Sequence, residues 1–81
     1  MTDGQDRRAA VVDVVFAISR RRVTDSERLV SSGLIDSLSV LQLIAELEKR
    51  LGLRIPSDRV QPEDFDSVLL ILETLDRVAR S

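Results

Sequence analysis

The segment from Ser37 to Leu51 carries the clearest helix boundaries in this 81-residue chain. Asp36 precedes the segment, and an aspartate carboxylate is a favoured N-cap because it accepts a backbone N–H that has no partner within the helix. Gly52 follows it, and glycine readily adopts the left-handed conformation that ends many helices. Ile55-Pro56 then favours extended backbone. We therefore predict a helix over residues 37–51, against which the rest of the chain must pack.

Apolar residues fall on two sides of this helix when successive residues are turned by about 100°. The larger stripe is typical of a core-facing surface and contains Val40, Leu43, Ile44, Leu47 and Leu51. A second stripe contains Leu38, Leu41 and Ala45, continues to Glu48 and has Glu46 nearby. Two interpretations are open for it. The helix could lie between two neighbouring elements, or the second stripe could be an exposed strip that receives partners.

Two further segments on either side of this helix also predict helical structure. The first runs from about Asp6 to Arg21; its β-branched residues favour a strand, but its length and polar flanks favour a helix. A short helical turn is expected between Gln61 and Phe65, with Pro62 at its first position, where proline is well tolerated. Val40, Leu43, Val60 and Val68 are assigned to the core rather than to a pocket.

Asp66 or Ser67 is expected to cap a last helix that ends at about Arg77. With no convincing strand, the chain is predicted to be all-α: a small four-helix bundle of three long helices and one short helix near 61–65. A long loop over residues 22–36 separates the first two helices, and a loop of this length in so small a domain is often functional. Four apolar residues are expected to hold it down, namely Leu29, Val30, Leu34 and Ile35.

Composition limits the chemistry that this chain can perform alone. It has no Cys and no His, so it lacks thiolates, imidazole bases and the common zinc ligands. We expect no catalytic residues, no metal site and no enzyme activity. The length fits one domain, predicted as 1–81 with an ordered core of about 5–79. No secretory signal or long apolar run is visible, which predicts a cytoplasmic protein.

Charge is unevenly distributed along the chain, although the net charge is only -2. Residues 23–76 hold eleven acids against five bases, which predicts an acidic working surface and basic partners. Arg20, Arg21 and Arg22 are interpreted as cations placed near a helix C-terminus, where they are favourable.

Ser37 stands at the start of the central helix, directly after the long loop. A serine at this position is usually a local capping residue. Here it belongs to Gly33-Leu34-Ile35-Asp36-Ser37-Leu38, which resembles the attachment motif of acyl and peptidyl carrier proteins. The resemblance covers most of the chain and extends to Leu51-Gly52-Leu53-Arg54-Ile55-Pro56 and Phe65-Asp66-Ser67-Val68.

The resemblance implies that a phosphopantetheinyl transferase modifies Ser37 with 4′-phosphopantetheine from coenzyme A. The thiol of that group would hold an acyl or aminoacyl cargo as a thioester. Asp36 is then expected to cap the helix and to be recognised by the transferase. The position suits the role on physical grounds as well, because the free N–H groups and positive end of a helix favour a phosphodiester.

In carrier proteins the corresponding helix is the surface that partners contact. The resemblance therefore favours the exposed-strip interpretation and assigns partner contacts to Leu38, Leu41, Ala45, Glu46 and Glu48. The implied partners are the transferase, an adenylating ligase or acyltransferase that loads cargo, and a downstream synthase or transferase. A monomer that binds neither nucleic acid nor membrane is expected.

Departures from the carriers of fatty acid synthesis refine this expectation. Ser39 and Gln42 occupy positions that are usually acidic in those carriers. The motif and the 62–68 segment look more like small free-standing carriers of amino acids, D-alanine or unusual extender units. We predict a carrier for an amino acid or a small acyl group in a specialised pathway.

Two other interpretations compete with this one. The chain could be a helical interaction module that uses the Leu38, Leu41 and Ala45 strip without carrying cargo. A DNA-binding helix-turn-helix is disfavoured, because the central helix is not basic and the loop before it is long. Asp66-Ser67 is a second Asp-Ser pair, but it lacks the preceding Gly-x-x and is interpreted as a helix cap.

Overall fold

The computed structural model describes residues 3–80, with side chains from Arg7 onward. Three α-helices, α1 (Asp3–Ser19), α2 (Ser37–Leu51) and α3 (Val68–Arg80), are joined by irregular segments that include two 3₁₀ turns, Ser57–Arg59 and Pro62–Phe65. No strand occurs within the described range. The predicted all-helical fold is confirmed, and the short helix near 61–65 is present as a 3₁₀ turn. The predicted domain ends include Met1, Thr2 and Ser81, which lie outside the described residues.

Helix α2 begins and ends where the sequence predicts. The Asp36 carboxylate accepts the Ser39 N–H at 2.9 Å, as an N-cap does. At the other end Gly52 adopts φ 65°, and its N–H donates to the Glu48 carbonyl oxygen at 2.9 Å. These two caps satisfy backbone groups that the helix itself leaves without partners.

Helix α1 ends two residues earlier than predicted. Arg20 lies beyond the helix with φ 62°, and its N–H donates to the Phe16 carbonyl oxygen at 2.7 Å. The Ser19 hydroxyl donates to the Val15 carbonyl oxygen at 2.7 Å and so satisfies another terminal group. Because the left-handed residue here is an arginine rather than a glycine, the sequence carries no obvious stop signal at this point.

A single apolar core joins the helices, the long loop and the second 3₁₀ turn. The larger stripe of α2 faces this core, with four of its members buried and Leu51 half-buried. The loop contributes Leu29 and Ile35, both fully buried, while Val30 and Leu34 are half-buried. The core also contains Val11, Val14, Val15, Ile55, Phe65, Val68, Ile71 and Leu75.

Asp66 attaches the long loop to the start of α3. Its Oδ1 accepts the N–H groups of Leu29, Val30 and Ser31 at 3.1, 2.7 and 2.9 Å. Its Oδ2 accepts the Ser31 hydroxyl at 3.0 Å and an Arg28 guanidinium N–H at 3.2 Å. This one buried carboxylate therefore holds the loop that leads into α2.

Helix α3 begins at Val68 and extends three residues beyond the predicted end at Arg77. Of the two predicted caps, Ser67 is the one that serves the helix: its Oγ accepts the Leu70 N–H at 3.1 Å. Thr74 is buried on the same helix, and its hydroxyl donates to the Asp64 carbonyl oxygen at 3.2 Å. These contacts connect α3 to the turn before it.

Candidate functional site

Ser37 is the first residue of α2 and is exposed to solvent. Among the described residues, none is hydrogen-bonded to its hydroxyl, so the Oγ is free to react. The long loop ends directly before it, with Ile35 fully buried and Asp36 exposed. The chain thus leaves the core at Ile35 and presents the Ser37 side chain at the surface.

The start of α2 favours negative charge near Ser37. The first N–H groups of a helix point out of its N-terminus and, with the helix dipole, form a positive end. The Ser39 N–H is the main cause that holds the pKa of the Asp36 carboxyl below its usual value. Asp36 is therefore ionised at neutral pH. No acidic residue lies in the first turn of α2, so Asp36 is the only carboxylate that the local sequence places beside Ser37.

Ser67 offers the sharpest contrast with Ser37, since both follow an aspartate at a helix start. Ser67 is 6% exposed and its Oγ is hydrogen-bonded to the α3 backbone. Its hydroxyl is neither accessible nor free. The geometry therefore favours Ser37 over Ser67 as the reactive serine.

The second stripe of α2 is exposed rather than covered by a neighbouring helix. Leu38 is 74% exposed and Leu41 58%, and Ala45 is exposed on the same side, about one turn beyond Leu41. We call these three residues the apolar strip. The strip begins one residue after Ser37, so a protein that covers Ser37 also contacts the strip.

The two glutamates predicted beside the strip differ in their surroundings. Glu46 is exposed and pairs with no cation in the described part of the chain. Glu48 is half-buried, and its carboxylate accepts the Ile55 N–H at 2.7 Å. Glu48 thus fixes the segment that follows α2. The sequence does not indicate this role of Glu48, because the N–H that it accepts lies seven residues later.

A small apolar cleft of about 190 Å³ lies along one edge of the apolar strip. Leu41 belongs to both the strip and the cleft. Of the three valines and one leucine assigned to the core, Leu43 and Val68 are fully buried. Val40 is buried and Val60 half-buried, and both also line this cleft. The cleft is smaller than the 300–1,000 Å³ or so of ordinary ligand pockets. The remaining cleft residues are Ile44, Ser57, Gln61, Pro62 and Phe65.

The described residues contain no cluster of three side chains that could hold a metal ion. No helix in the described range is long and apolar enough to cross a membrane. The candidate site consists of the exposed Ser37, the N-terminus of α2 and the apolar strip.

Known proteins with similar sequences identify the family of this chain. The family model described as "Phosphopantetheine attachment site" matches residues 9–75. The chain is also similar to the D-alanyl carrier proteins of Streptococcus sanguinis (strain SK36) and Streptococcus gordonii (strain Challis), at 30% identity over 70 residues in each case. The alignment covers 84% of this chain and 89% of each relative. The D-alanyl carrier protein of Streptococcus thermophilus (strain CNRZ 1066) matches to the same extent.

A small helical protein with an exposed serine at the start of a helix, and an apolar strip beside it, has the arrangement expected of a carrier protein. The chain belongs to the phosphopantetheine-attachment family, on the aminoacyl and D-alanyl carrier side. It functions as a carrier protein in a specialised pathway, with covalently attached 4′-phosphopantetheine as its cofactor, and is not an enzyme.

Proposed function

We propose that Ser37 is the residue to which the 4′-phosphopantetheine is attached. In that reaction the Ser37 Oγ attacks the β-phosphate of coenzyme A, an O–P bond forms and the pyrophosphate bond breaks. Adenosine 3′,5′-bisphosphate leaves, and the serine proton passes to a base of the transferase. When bound, the group supplies a flexible arm whose thiol holds cargo as a thioester.

The exposed, unbonded Ser37 hydroxyl is the observation that carries this proposal. The positive end of α2 favours the phosphodiester charge at Ser37. Asp36 is committed to the Ser39 N–H by a 2.9 Å hydrogen bond, so its primary role is to hold the first turn of α2. Its outer oxygen stays exposed and is available for recognition by the transferase.

The apolar strip is proposed as the docking surface for the enzymes that modify, load and unload the carrier. Partners are the transferase, an adenylating ligase or acyltransferase, and a downstream synthase or transferase. Glu46 is exposed and extends this surface, while Glu48 contributes through its partly exposed edge. Apolar side chains exposed next to a reaction site typically mark a protein contact.

We further propose that the cargo is an amino acid or a small acyl group, with D-alanine as the first candidate because of the relatives. The size of the cleft supports a small cargo, since about 190 Å³ leaves little room for a long acyl chain. The same proposal includes a cytoplasmic monomer with one domain over 1–81. In it the Pro62–Phe65 turn serves as the short member of a four-helix bundle.

Intact mass spectrometry tests the attachment site. The chain is incubated with coenzyme A, Mg²⁺ and a broad-specificity phosphopantetheinyl transferase. The wild type is expected to gain one phosphopantetheine group, and Ser37→Ala none. A folded wild-type chain that gains nothing would contradict the proposal.

A loading assay then tests the class of cargo. The modified chain is incubated with ATP, a purified D-alanine-adenylating ligase and D-alanine, and thioester formation is followed by mass. Matched reactions use a long fatty acid with a fatty-acid-adenylating ligase. Charging with the fatty acid and with no amino acid would contradict the small-cargo proposal but leave the attachment site intact.

A further inference from the structure

A second concave surface lies on the other side of α2 from the apolar cleft. It is a groove of about 490 Å³ between α1 and α2. The apolar residues that line it come from α1 and are Val14, Ala17 and Ile18. Its charged lining residues, which we call the rim, are Arg20, Glu46 and Arg50.

The groove lies close to the site of attachment. Gln42 also lines it, and this residue is five positions after Ser37 on α2. At about 1.5 Å per residue, the two are about 7.5 Å apart along the helix axis. A standard protein interface covers about 800 Å² on each partner. An enzyme that covers Ser37 and the apolar strip therefore reaches the groove as well.

Arg20 is an unexpected residue for its backbone conformation. Its φ of 62° is close to the 65° of Gly52, which ends α2 with the same bond from residue i to residue i−4. A Cβ is strained in this region because it crowds the following carbonyl oxygen, and glycine avoids this strain. The chain has glycine at the end of α2 and arginine at the end of α1.

The structural needs of α1 do not require a third cation at this position. Cations near a helix C-terminus are favourable, and Arg21 and Arg22 follow immediately. Both of these have partners: Arg21 pairs with Glu27 at 2.8 Å, and Arg22 lies over the Phe16 ring at 5.5 Å from its centroid. Arg20 forms no ion pair within the described residues and borders the groove.

The other charges at the rim indicate what Arg20 would contact. Arg50 is already paired with Asp13 at 3.6 Å. Glu46 on the opposite rim is unpaired within the described residues and would repel an acid placed beside it. An acidic group is thus favoured beside Arg20, on the α1 side of the groove, and disfavoured beside Glu46.

We propose that Arg20 is a specificity-determining contact, whose guanidinium binds an acidic side chain of the adenylating ligase docked over Ser37. The inference rests on the proposed function and deepens it. It reverses the expectation from charge along the chain, which favoured basic partners. Strain at the end of α1 is retained because the side chain at this position serves the partner.

The test uses Arg20→Gly and Arg20→Lys in the phosphopantetheinylated full chain. The purified D-alanine-adenylating ligase is the probe, and KM and kcat for the carrier are measured together with the Tm of each variant. Arg20→Gly is expected to raise KM about fivefold at low salt, as for an exposed charge pair, with kcat unchanged and Tm not lowered. Arg20→Lys should keep KM within about twofold, because it retains the charge.

Two controls separate the contact from a structural role. Arg54→Gly removes an exposed cation that does not line the groove, and it should leave KM unchanged. Salt at about 0.5 M should narrow the gap between wild type and Arg20→Gly, because screening weakens exposed charge pairs. An unchanged KM for Arg20→Gly, or a KM rise that Arg54→Gly shares, would overturn the inference.

The outcome is distinguishable from failure of the proposed function. Each variant is first checked by mass for modification of Ser37. Absence of modification in the wild type contradicts the proposed attachment site, whereas modification and loading with an unchanged KM contradict only the role of Arg20.

Discussion

The two Asp-Ser pairs of this chain have the same residues before a helix and opposite environments. In Asp36-Ser37 the aspartate caps α2 and the serine is exposed and unbonded. In Asp66-Ser67 the serine caps α3, and the aspartate is buried and bonded to the loop. The aspartate caps the helix in the first pair, and the serine caps it in the second. This difference determines which serine hydroxyl is free. An Asp-Ser pair alone therefore does not determine whether its serine hydroxyl is free; the residue that caps the helix does.

The largest expected difference between the pairs is in labelling. With coenzyme A and a transferase, Ser67→Ala should gain one phosphopantetheine group as the wild type does, while Ser37→Ala gains none. Intact mass measures both in one experiment. Loss of labelling in Ser67→Ala, with retention in Ser37→Ala, would assign the site to the second pair.

The next largest expected difference is in how much each aspartate contributes to the free energy of unfolding. Asp66→Asn removes the charge from a buried group that accepts five hydrogen bonds, and we expect it to lower the free energy of unfolding by about 2–3 kcal/mol. Asp36→Asn should change it little, since asparagine is an equally good N-cap. Urea denaturation of both variants gives the comparison. Equal losses would show that the loop does not depend on Asp66.

Acid should lower the free energy of unfolding through protonation of Asp66 in the second pair. Burial alone raises the pKa of this carboxyl, but hydrogen bonds from Ser31, Val30 and Arg28 outweigh burial and lower the pKa to about 2. Because the folded pKa lies below the usual 3.8, the stabilisation is fully present above about pH 4 and is lost as pH falls through about 2. The free energy of unfolding, measured from pH 5 to pH 2, should fall more steeply for wild type than for Asp66→Asn. Parallel curves would contradict this assignment.

The smallest expected difference is in the structural value of the two serines. Ser67→Ala removes the cap of α3 and should cost about 1 kcal/mol. Ser37→Ala removes no bond and should stay within about 0.5 kcal/mol of wild type. Thermal unfolding of the two unmodified variants measures both. A larger loss for Ser37→Ala would mean that its hydroxyl has a structural role after all.

The parts predictable from sequence are those fixed by local chemistry. The bounds of α2 follow from Asp36 and Gly52, because each cap acts within a few residues of itself. The end of α1 was placed two residues too late, since an arginine adopts the conformation that usually marks a glycine. The exposure of Leu38 and Leu41 was left open by periodicity alone, and only the resemblance favoured it.

The parts that escaped prediction depend on residues distant in sequence. The sequence predicts Asp66 or Ser67 as the cap of the following helix, but the hydrogen-bond partners of the Asp66 carboxylate lie 35 to 38 residues earlier. Glu48 was assigned to the partner surface, and its carboxylate also binds the Ile55 N–H seven residues later. A carboxylate has no sequence signal for which distant N–H groups it will accept, so these contacts need the folded chain.

The attachment of three loop N–H groups to one Asp66 oxygen has a consequence for motion. Movement of this one carboxylate removes an acceptor from Leu29, Val30 and Ser31 at once, but the Leu29 N–H keeps the Asp66 carbonyl oxygen, at 2.8 Å, as a second acceptor. The amide hydrogens of Val30 and Ser31 should therefore exchange with solvent as one cooperative unit. With the arm attached at Ser37 as proposed, the loop would act as a fixed base rather than as a hinge, and the length of the arm would set the distance over which cargo travels.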